Sequence, residues 1–129
     1  MTLEEAREYF CKDRFAMVTT GITIDEIGEK NCTCSFTVDD RHLAVGDHVM
    51  GGAIFTLADF SFAVASNTKE QVTLSTNCNI SYLGQPKDNR VIAHASCVKD
   101  GRRTCLYEIR IEDGLGNPVA LVTAAGFHL

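Results

Sequence analysis

The chain lacks an excess of positive charge. Twelve lysines and arginines stand against seventeen aspartates and glutamates, a formal net charge of −5. That balance argues against nucleic acid or an anionic membrane surface as the main partner, while leaving room for an anionic small ligand at a local basic cluster. A membrane-length apolar run is also missing, since the longest, around residues 49–65, is broken by Gly51, Gly52 and Asp59. The opening MTLEEAREYFCKDRF holds acidic residues and no continuous apolar core, so it does not read as a signal peptide, and a cytoplasmic location is expected. Repeats, low-complexity tracts and linkers are absent too. A length of 129 residues fits one domain, expected over 1–129.

No CxxC pair occurs among the six cysteines (Cys11, Cys32, Cys34, Cys78, Cys97, Cys105). Cys32-x-Cys34 places both thiols on one face of a strand, and most of the others fall in strand-like patterns. The cysteines therefore read as small reduced core residues, with no metal site and no cofactor. His42, His48, His94 and His128 show no metal-ligand spacing either, and His42 and His48 read as solvent-facing loop residues.

What is present is a regular alternation of elements. Thr2-x-x-Glu5 is a capping-box pattern, followed by Leu3, Ala6 and Phe10 at helical spacing, so a short helix is expected over 2–13. Strands are expected over Thr20–Glu29 and Asn31–Asp39, the second with Cys32, Cys34, Phe36 and Val38 alternating with polar residues. Residues 40–50 read as a loop, and Gly51-Gly52 introduces a helix over 53–66 that is apolar on nearly all sides and hence enclosed by protein. Four more strands, roughly 72–83, 90–99, 103–112 and 118–128, are separated by turn-forming segments at Gly84-Gln85-Pro86, Lys99-Asp100-Gly101 and Asp113-Gly114 with Gly116-Asn117-Pro118. In the third of these, Cys105, Tyr107, Ile109 and Ile111 share one face. One antiparallel sheet wrapped around one apolar helix satisfies the whole order with a single core.

One residue breaks that economy. Between His48 and Lys69 the only ionisable side chain is Asp59, set in MGGAIFTLADFSFAVASN. A lone carboxylate in such a helix is costly unless something pairs with it or uses it. Its structural reading is a hydrogen bond to nearby backbone or serine; its functional reading is chemistry beside the glycine pair.

The order of elements and this central motif resemble the hot-dog fold, a six-stranded antiparallel sheet wrapped around a central helix in an α+β chain. GGAIFTLADFSFAVASN looks like the hallmark helix of the phenylacetate-degradation-type acyl-CoA thioesterases, roughly His-Gly-Gly-x-hydrophobic-x-x-Leu-x-Asp. NISYLGQP (79–86), Lys99-Asp100-Gly101-Arg102 and the stretch from Asp113 to Ala120 also resemble that family, and the likeness runs from about residue 15 onward. It implies Asp59 as the catalytic carboxylate, the Gly51 backbone N–H as oxyanion hole, and Ser75 as the hydroxyl that places the attacking water, with Thr76 close enough in register to replace it. Two departures stand out. Met50 occupies the position where the family usually has His, with His48 two residues earlier, and Ala44 stands where many members have Asn.

The residues support that chemistry independently. A helix N-terminus offers N–H groups to a developing oxyanion, and glycine lets a thioester carbonyl approach the backbone closely. Asp59 can act as general base on water or attack directly to give a mixed anhydride, and the sequence leaves both routes open. Gly51 and Asp59 lie eight positions apart, about 12 Å along a helix axis, too far to flank one carbon. Two helices packed antiparallel across a two-fold would set Asp59 of one chain opposite Gly51 of the other, so a homodimer is expected; the resemblance adds dimers pairing into tetramers.

On the substrate side, Lys87, Arg90, Lys99, Arg102 and Arg103 lie in or beside turns as candidate contacts for coenzyme A phosphates. His48, Val49, Met50, Gly52, Phe55 and Phe62 are candidate neighbours of the thioester and acyl chain. Two alternatives stand beside hydrolysis. One is a hot-dog module that binds acyl-CoA without turning it over, which the departures at Ala44 and Met50 favour. The other is a hydratase or dehydratase, which normally needs a His paired with an acidic residue.

Overall fold

The computed structural model describes all residues, 1–129. Thr2 and Glu5 form the expected capping box, which opens helix α1 over Leu3–Tyr9. Strands β1 (Thr23–Gly28), β2 (Asn31–Thr37), β3 (Thr73–Tyr82), β4 (Arg90–Asp100), β5 (Thr104–Asp113) and β6 (Pro118–His128) form one sheet, and helix α2 spans Gly51–Ser66 between β2 and β3. The strand order is β1-β2-β4-β5-β6-β3 and every neighbouring pair is antiparallel. This is the six-stranded sheet and central helix expected from the sequence.

Period-two alternation decides which side of each strand meets α2. Cys32, Cys34 and Phe36 of β2, Val91, Ala93 and Ala95 of β4, Cys105, Tyr107, Ile109 and Ile111 of β5, and Val122 and Ala124 of β6 are buried against Ile54, Leu57, Ala58, Phe62 and Val64. Many of the sheet residues in this layer are alanine or cysteine, small enough for the helix to lie close. The Cys32 thiol donates to the Ser61 carbonyl at 3.2 Å, and the Ser61 hydroxyl to the Leu57 carbonyl at 2.7 Å. All six cysteines are free thiols.

Four expectations need correction. The first helix ends at Tyr9; a short 3-10 turn covers Phe10–Lys12, and Phe15–Thr19 forms a single wide turn closed by the Thr20 N–H on the Phe15 carbonyl at 2.9 Å. The first strand therefore starts at Thr23 rather than Thr20, because Ile22 N–H is drawn back to the Ala16 carbonyl. Helix α2 starts at Gly51, so both glycines belong to its first turn. His42 is 2% exposed and stacked on Phe36 with ring centroids 4.4 Å apart. Its Nδ1 accepts the Asp39 N–H (3.0 Å), so Nε2 carries the hydrogen and donates to the Thr20 carbonyl (2.7 Å), tying the loop before α2 to the turn before β1.

Helix α2 is enclosed on all sides but one, as its apolar sequence leads one to expect. Gly52 and Asp59 are exposed and Thr56 and Ala63 half-buried, a stripe at i, i+4, i+7 and i+11 that the sheet leaves open. Strand β3 is likewise uncovered. It lies at the sheet edge, bulges between Ser75 and Asn77, and buries only Thr73 fully. Leu74, Tyr82 and neighbouring Val72 and Leu83 are exposed apolar side chains along it.

One close approach has a measurable consequence. A Cβ at Gly126 would meet Phe62 Cζ at 2.7 Å, with Cys105 Sγ and Thr73 Cγ2 at 3.0 Å. Gly126→Ala is expected to destabilise the fold by about 1–3 kcal/mol through overpacking, read as a lower urea midpoint at unchanged m value.

Candidate active site

The residue before α2, Met50, has extended backbone (ψ 134°) and offers no side-chain cap. Its carbonyl accepts the N–H groups of Ala53 (3.0 Å) and Ile54 (3.3 Å). The N–H groups of Gly51 and Gly52 reach no acceptor within the chain. Two unpaired donors at the positive end of a helix thus face outward. Beside them a cavity of about 370 Å³ is lined by Val49, Gly51, Ile54, Tyr82, Leu83, Gly84 and Gln85.

Asp59 lies two turns along the open stripe. It borders a second cleft of about 340 Å³, together with Asp13, Arg14, Phe15, Ala16, Thr56, Phe60 and Ala63. The carboxylate is therefore not sealed in the core; one wall of its cleft is the wide turn after α1, which the sequence pattern did not reveal. Burial, and secondarily the negative charge of Asp13, push the Asp59 carboxyl above the usual aspartate value. Burial first, and the Asp59 charge second, raise the Cys78 thiol of β3.

Ser75 pairs with Gly126, whose Cβ direction points at Phe62, so Ser75 shares the helix-facing side of β3 with Cys78. Thr76 instead occupies the bulge, its hydroxyl donating to the Ala125 carbonyl at 3.3 Å. The register separates the two hydroxyls that sequence spacing left interchangeable.

The other candidates scatter. His48 and Met50 are exposed at the mouth of the loop, and Phe55 is half-buried on α2. Phe62 is a core residue, edge-to-face with Tyr107 at 5.4 Å, so it lines no acyl pocket. Arg90 is not a free cation: its Nη2 donates to Ser35 Oγ at 2.6 Å, and Ser35 Oγ in turn donates to Asp25 Oδ2 at 2.5 Å. Lys99, Arg102 and Arg103 are exposed around the β4–β5 turn. That turn lies at the C-terminal end of α2, since the Arg103 carbonyl accepts from His128, which pairs with Thr73, whose hydroxyl donates to the Ser66 carbonyl. Lys99, Arg102 and Arg103 thus lie at the opposite end of α2 from Gly51, whereas exposed Lys87 follows Gln85, whose amide meets Val49 at the Gly51 end.

At that same end Asp100, Cys105 and His128 bring donor atoms within 4.8 Å of one another, a grouping that sequence spacing concealed. Asp100 already pairs with Lys30 (3.0 Å) and with His128 Nε2 (2.7 Å), and His128 Nδ1 with Thr73 Oγ1 (2.8 Å). Lys30 first and His128 second hold the Asp100 carboxyl below its ordinary value. The arrangement is a polar latch across the ends of β3, β4 and β6.

An antiparallel sheet around a helix that begins on two unpaired glycine N–H groups and carries a raised carboxyl has the architecture of a hot-dog protein of the thioesterase class. Comparison with known proteins agrees. Residues 46–120 match the Thioesterase superfamily, and the chain belongs to that family. The acyl-coenzyme A thioesterase PaaI of Escherichia coli is 31% identical over 103 residues, 78% of this chain and 73% of that protein. A thioesterase structure from Haemophilus influenzae superposes with a TM-score of 0.89 at 20% identity, covering 100% of this chain and 91% of that one. A thioesterase from Streptococcus pneumoniae, solved with coenzyme A, gives 0.84 at 20% identity over 93% of this chain and 96% of that one.

The raised Asp59 carboxyl is also a stability statement. A carboxyl whose folded value lies above its unfolded value disfavours the fold where it is ionised, at neutral pH, and stops doing so once pH falls below the unfolded value near 4. Asp59→Asn is therefore expected to melt a few degrees higher than the wild type at pH 7, the difference closing by about pH 3.5, as followed by circular dichroism.

Proposed function

We propose that this chain hydrolyses acyl-CoA thioesters to the free acid and coenzyme A, as a cytoplasmic enzyme whose working unit is the single domain 1–129. The observation that carries the reading is the pairing of unaccepted Gly51 and Gly52 N–H groups with a raised carboxyl on the open stripe of the same helix. The substrate class is supported by the E. coli relative's activity on acyl-coenzyme A and by the coenzyme A held by the S. pneumoniae structure. The compartment is supported by six thiols that remain free.

In this mechanism the thioester carbonyl oxygen takes the Gly51 N–H. Water held by Ser75 loses a proton to Asp59 as its oxygen bonds the carbonyl carbon, and the C–S bond then breaks to release the coenzyme A thiolate. In the alternative route an Asp59 oxygen forms the new bond and water later cleaves the anhydride. The elevated carboxyl is a stronger base than an ordinary aspartate, and thiolate is a good enough leaving group to depart without an acid. His48, Met50, Gly52, Phe55 and Thr76 border the site, while Lys99 and Arg102 meet phosphate; Arg90 is left out of this role because it is already bonded within the sheet.

The site is completed by two chains. Gly51 and Asp59 of one helix are about 12 Å apart, so Asp59 serves the partner's Gly51 across antiparallel α2 stripes, with the β3 edges side by side. The open stripe and the uncovered apolar residues of β3 support this assembly, and a further pairing of dimers follows from the exposed Val98, Leu106, Leu121 and Phe127 of the sheet. Sedimentation over a dilution series is expected to give a species of two or four 14.1 kDa chains; a fully active monomer would end the two-chain site.

A second reading, an acyl-CoA-binding module without turnover, draws on Met50 and Ala44 in place of the family's His and Asn. One assay separates the two. Thiol release from short, medium, long and aryl acyl-CoAs is expected to show turnover, with kcat in folded Asp59→Ala lower by about 10²-fold or more. Binding without release in the wild type would select the second reading.

A further inference from the structure

A helix that starts on two glycines is the least restrained start available, because glycine lacks a Cβ to limit its backbone and Met50 supplies no cap. An oxyanion donor needs the opposite, a fixed direction, since preorganisation is what makes such a donor effective. The β3 strand and the loop after it supply that restraint.

Gln85 acts on Val49 as a paired strand would: its Oε1 accepts the Val49 N–H at 2.8 Å and its Nε2 donates to the Val49 carbonyl at 3.2 Å. Met50 N–H donates to the His42 carbonyl at 2.8 Å, holding the same 49–50 peptide from its other side. The 50–51 peptide is held through the Met50 carbonyl by the first helical turn. The next peptide is held by Tyr82, whose hydroxyl donates to the Gly51 carbonyl at 2.9 Å. A Cβ at Gly51 would come to 3.1 Å from the Tyr82 ring, so a side chain at residue 51 would press on the ring that makes this bond. Every peptide plane from Val49 to Gly52 is thereby pinned, and the N–H groups left over are those of Gly51 and Gly52.

We propose that Tyr82 and Gln85 are positioning residues for the reaction, a clamp from the β3 side that aims the Gly51 N–H in place of groups missing from the loop at Ala44 and Met50. This rests on the reading of Gly51 as the oxyanion donor. Neither residue touches the reacting atoms; both act through the backbone on either side of the donor.

The test uses the full chain, acyl-CoA thiol release and pH profiles for Tyr82→Phe, Gln85→Leu and, as reference, Asp59→Asn. Tyr82→Phe removes one oxygen and is expected to lower kcat about 3- to 10-fold, and Gln85→Leu about 10- to 100-fold, against the 10²–10³ typical of losing an oxyanion donor outright. KM is expected to stay within about twofold, and the acidic limb of the profile, which belongs to Asp59, not to move. Wild-type kcat in folded Tyr82→Phe while Asp59→Asn is inactive overturns the clamp. A raised KM at unchanged kcat overturns it too, by making these residues substrate contacts. Full activity in Asp59→Asn strikes instead at the underlying reading of the site. Should Gln85→Leu fail to fold, Tyr82→Phe alone decides.

Discussion

An α-helix cannot satisfy its own first N–H groups, and a protein must cap them, hydrate them or use them. This chain begins α2 with Met-Gly-Gly, a sequence without a capping hydroxyl, carboxylate or amide, and leaves the donors of Gly51 and Gly52 unmatched. Everything else about the molecule can be read as a consequence. The sheet must press against α2 closely enough to hold it still, which the alanines and cysteines on its inner face allow. The loop before the helix must be anchored, and buried His42 with Gln85 does that. One stripe of the helix must stay free of the sheet, and Gly52, Thr56, Asp59 and Ala63 keep it so.

Placing a carboxylate on that stripe works against stability. Burial and the nearby Asp13 disfavour its ionised form, while Cys78 offers it no positive charge. Elsewhere the fold treats its acids differently. Asp100 is paired with Lys30 and His128, and Asp113, though buried, is held at about 2 by the Lys87 and Asn117 groups that donate to it. Asp59 has neither an ion pair nor a hydrogen-bond donor of the kind that holds Asp100 and Asp113, which is the contrast the proposed catalytic role rests on. The helix separates Asp59 from its own Gly51 by about 12 Å, and in the proposed two-chain site the open stripe and the bare β3 edge would serve one requirement together.

The elements themselves were legible because hydrophobic period and turn chemistry agree along most of the chain. Strands β4, β5 and β6 sit within a residue or two of their expected bounds, and the Cys105–Ile111 face is the one buried. The region before β1 was not legible. The wide turn over Phe15–Thr19 satisfies its backbone by hydrogen bonds that skip five and six residues, and no periodicity in side-chain polarity marks such spacing. His42 was misjudged for a related reason. It stacks on Phe36 and bonds Asp39 nearby, but the contact that locks it inside is the Thr20 carbonyl twenty-two residues back, and a histidine in a polar loop carries no local sign of that.

Sequence by itself determined the chemistry on offer: a glycine pair at a helix entrance, a lone acid eight residues on, and a strand hydroxyl nearby, because the types and spacing of residues on one helix are read directly from the chain. Only tertiary structure decided which of these can cooperate. It turned Ser75 rather than Thr76 toward the helix, because a bulge reverses side-chain direction by one residue. It drew Arg90 into the sheet, because Ser35 and Asp25 lie beside it across β2. It brought Tyr82 and Gln85, more than thirty residues away, onto the backbone around Gly51, because β3 runs back along the helix that precedes it.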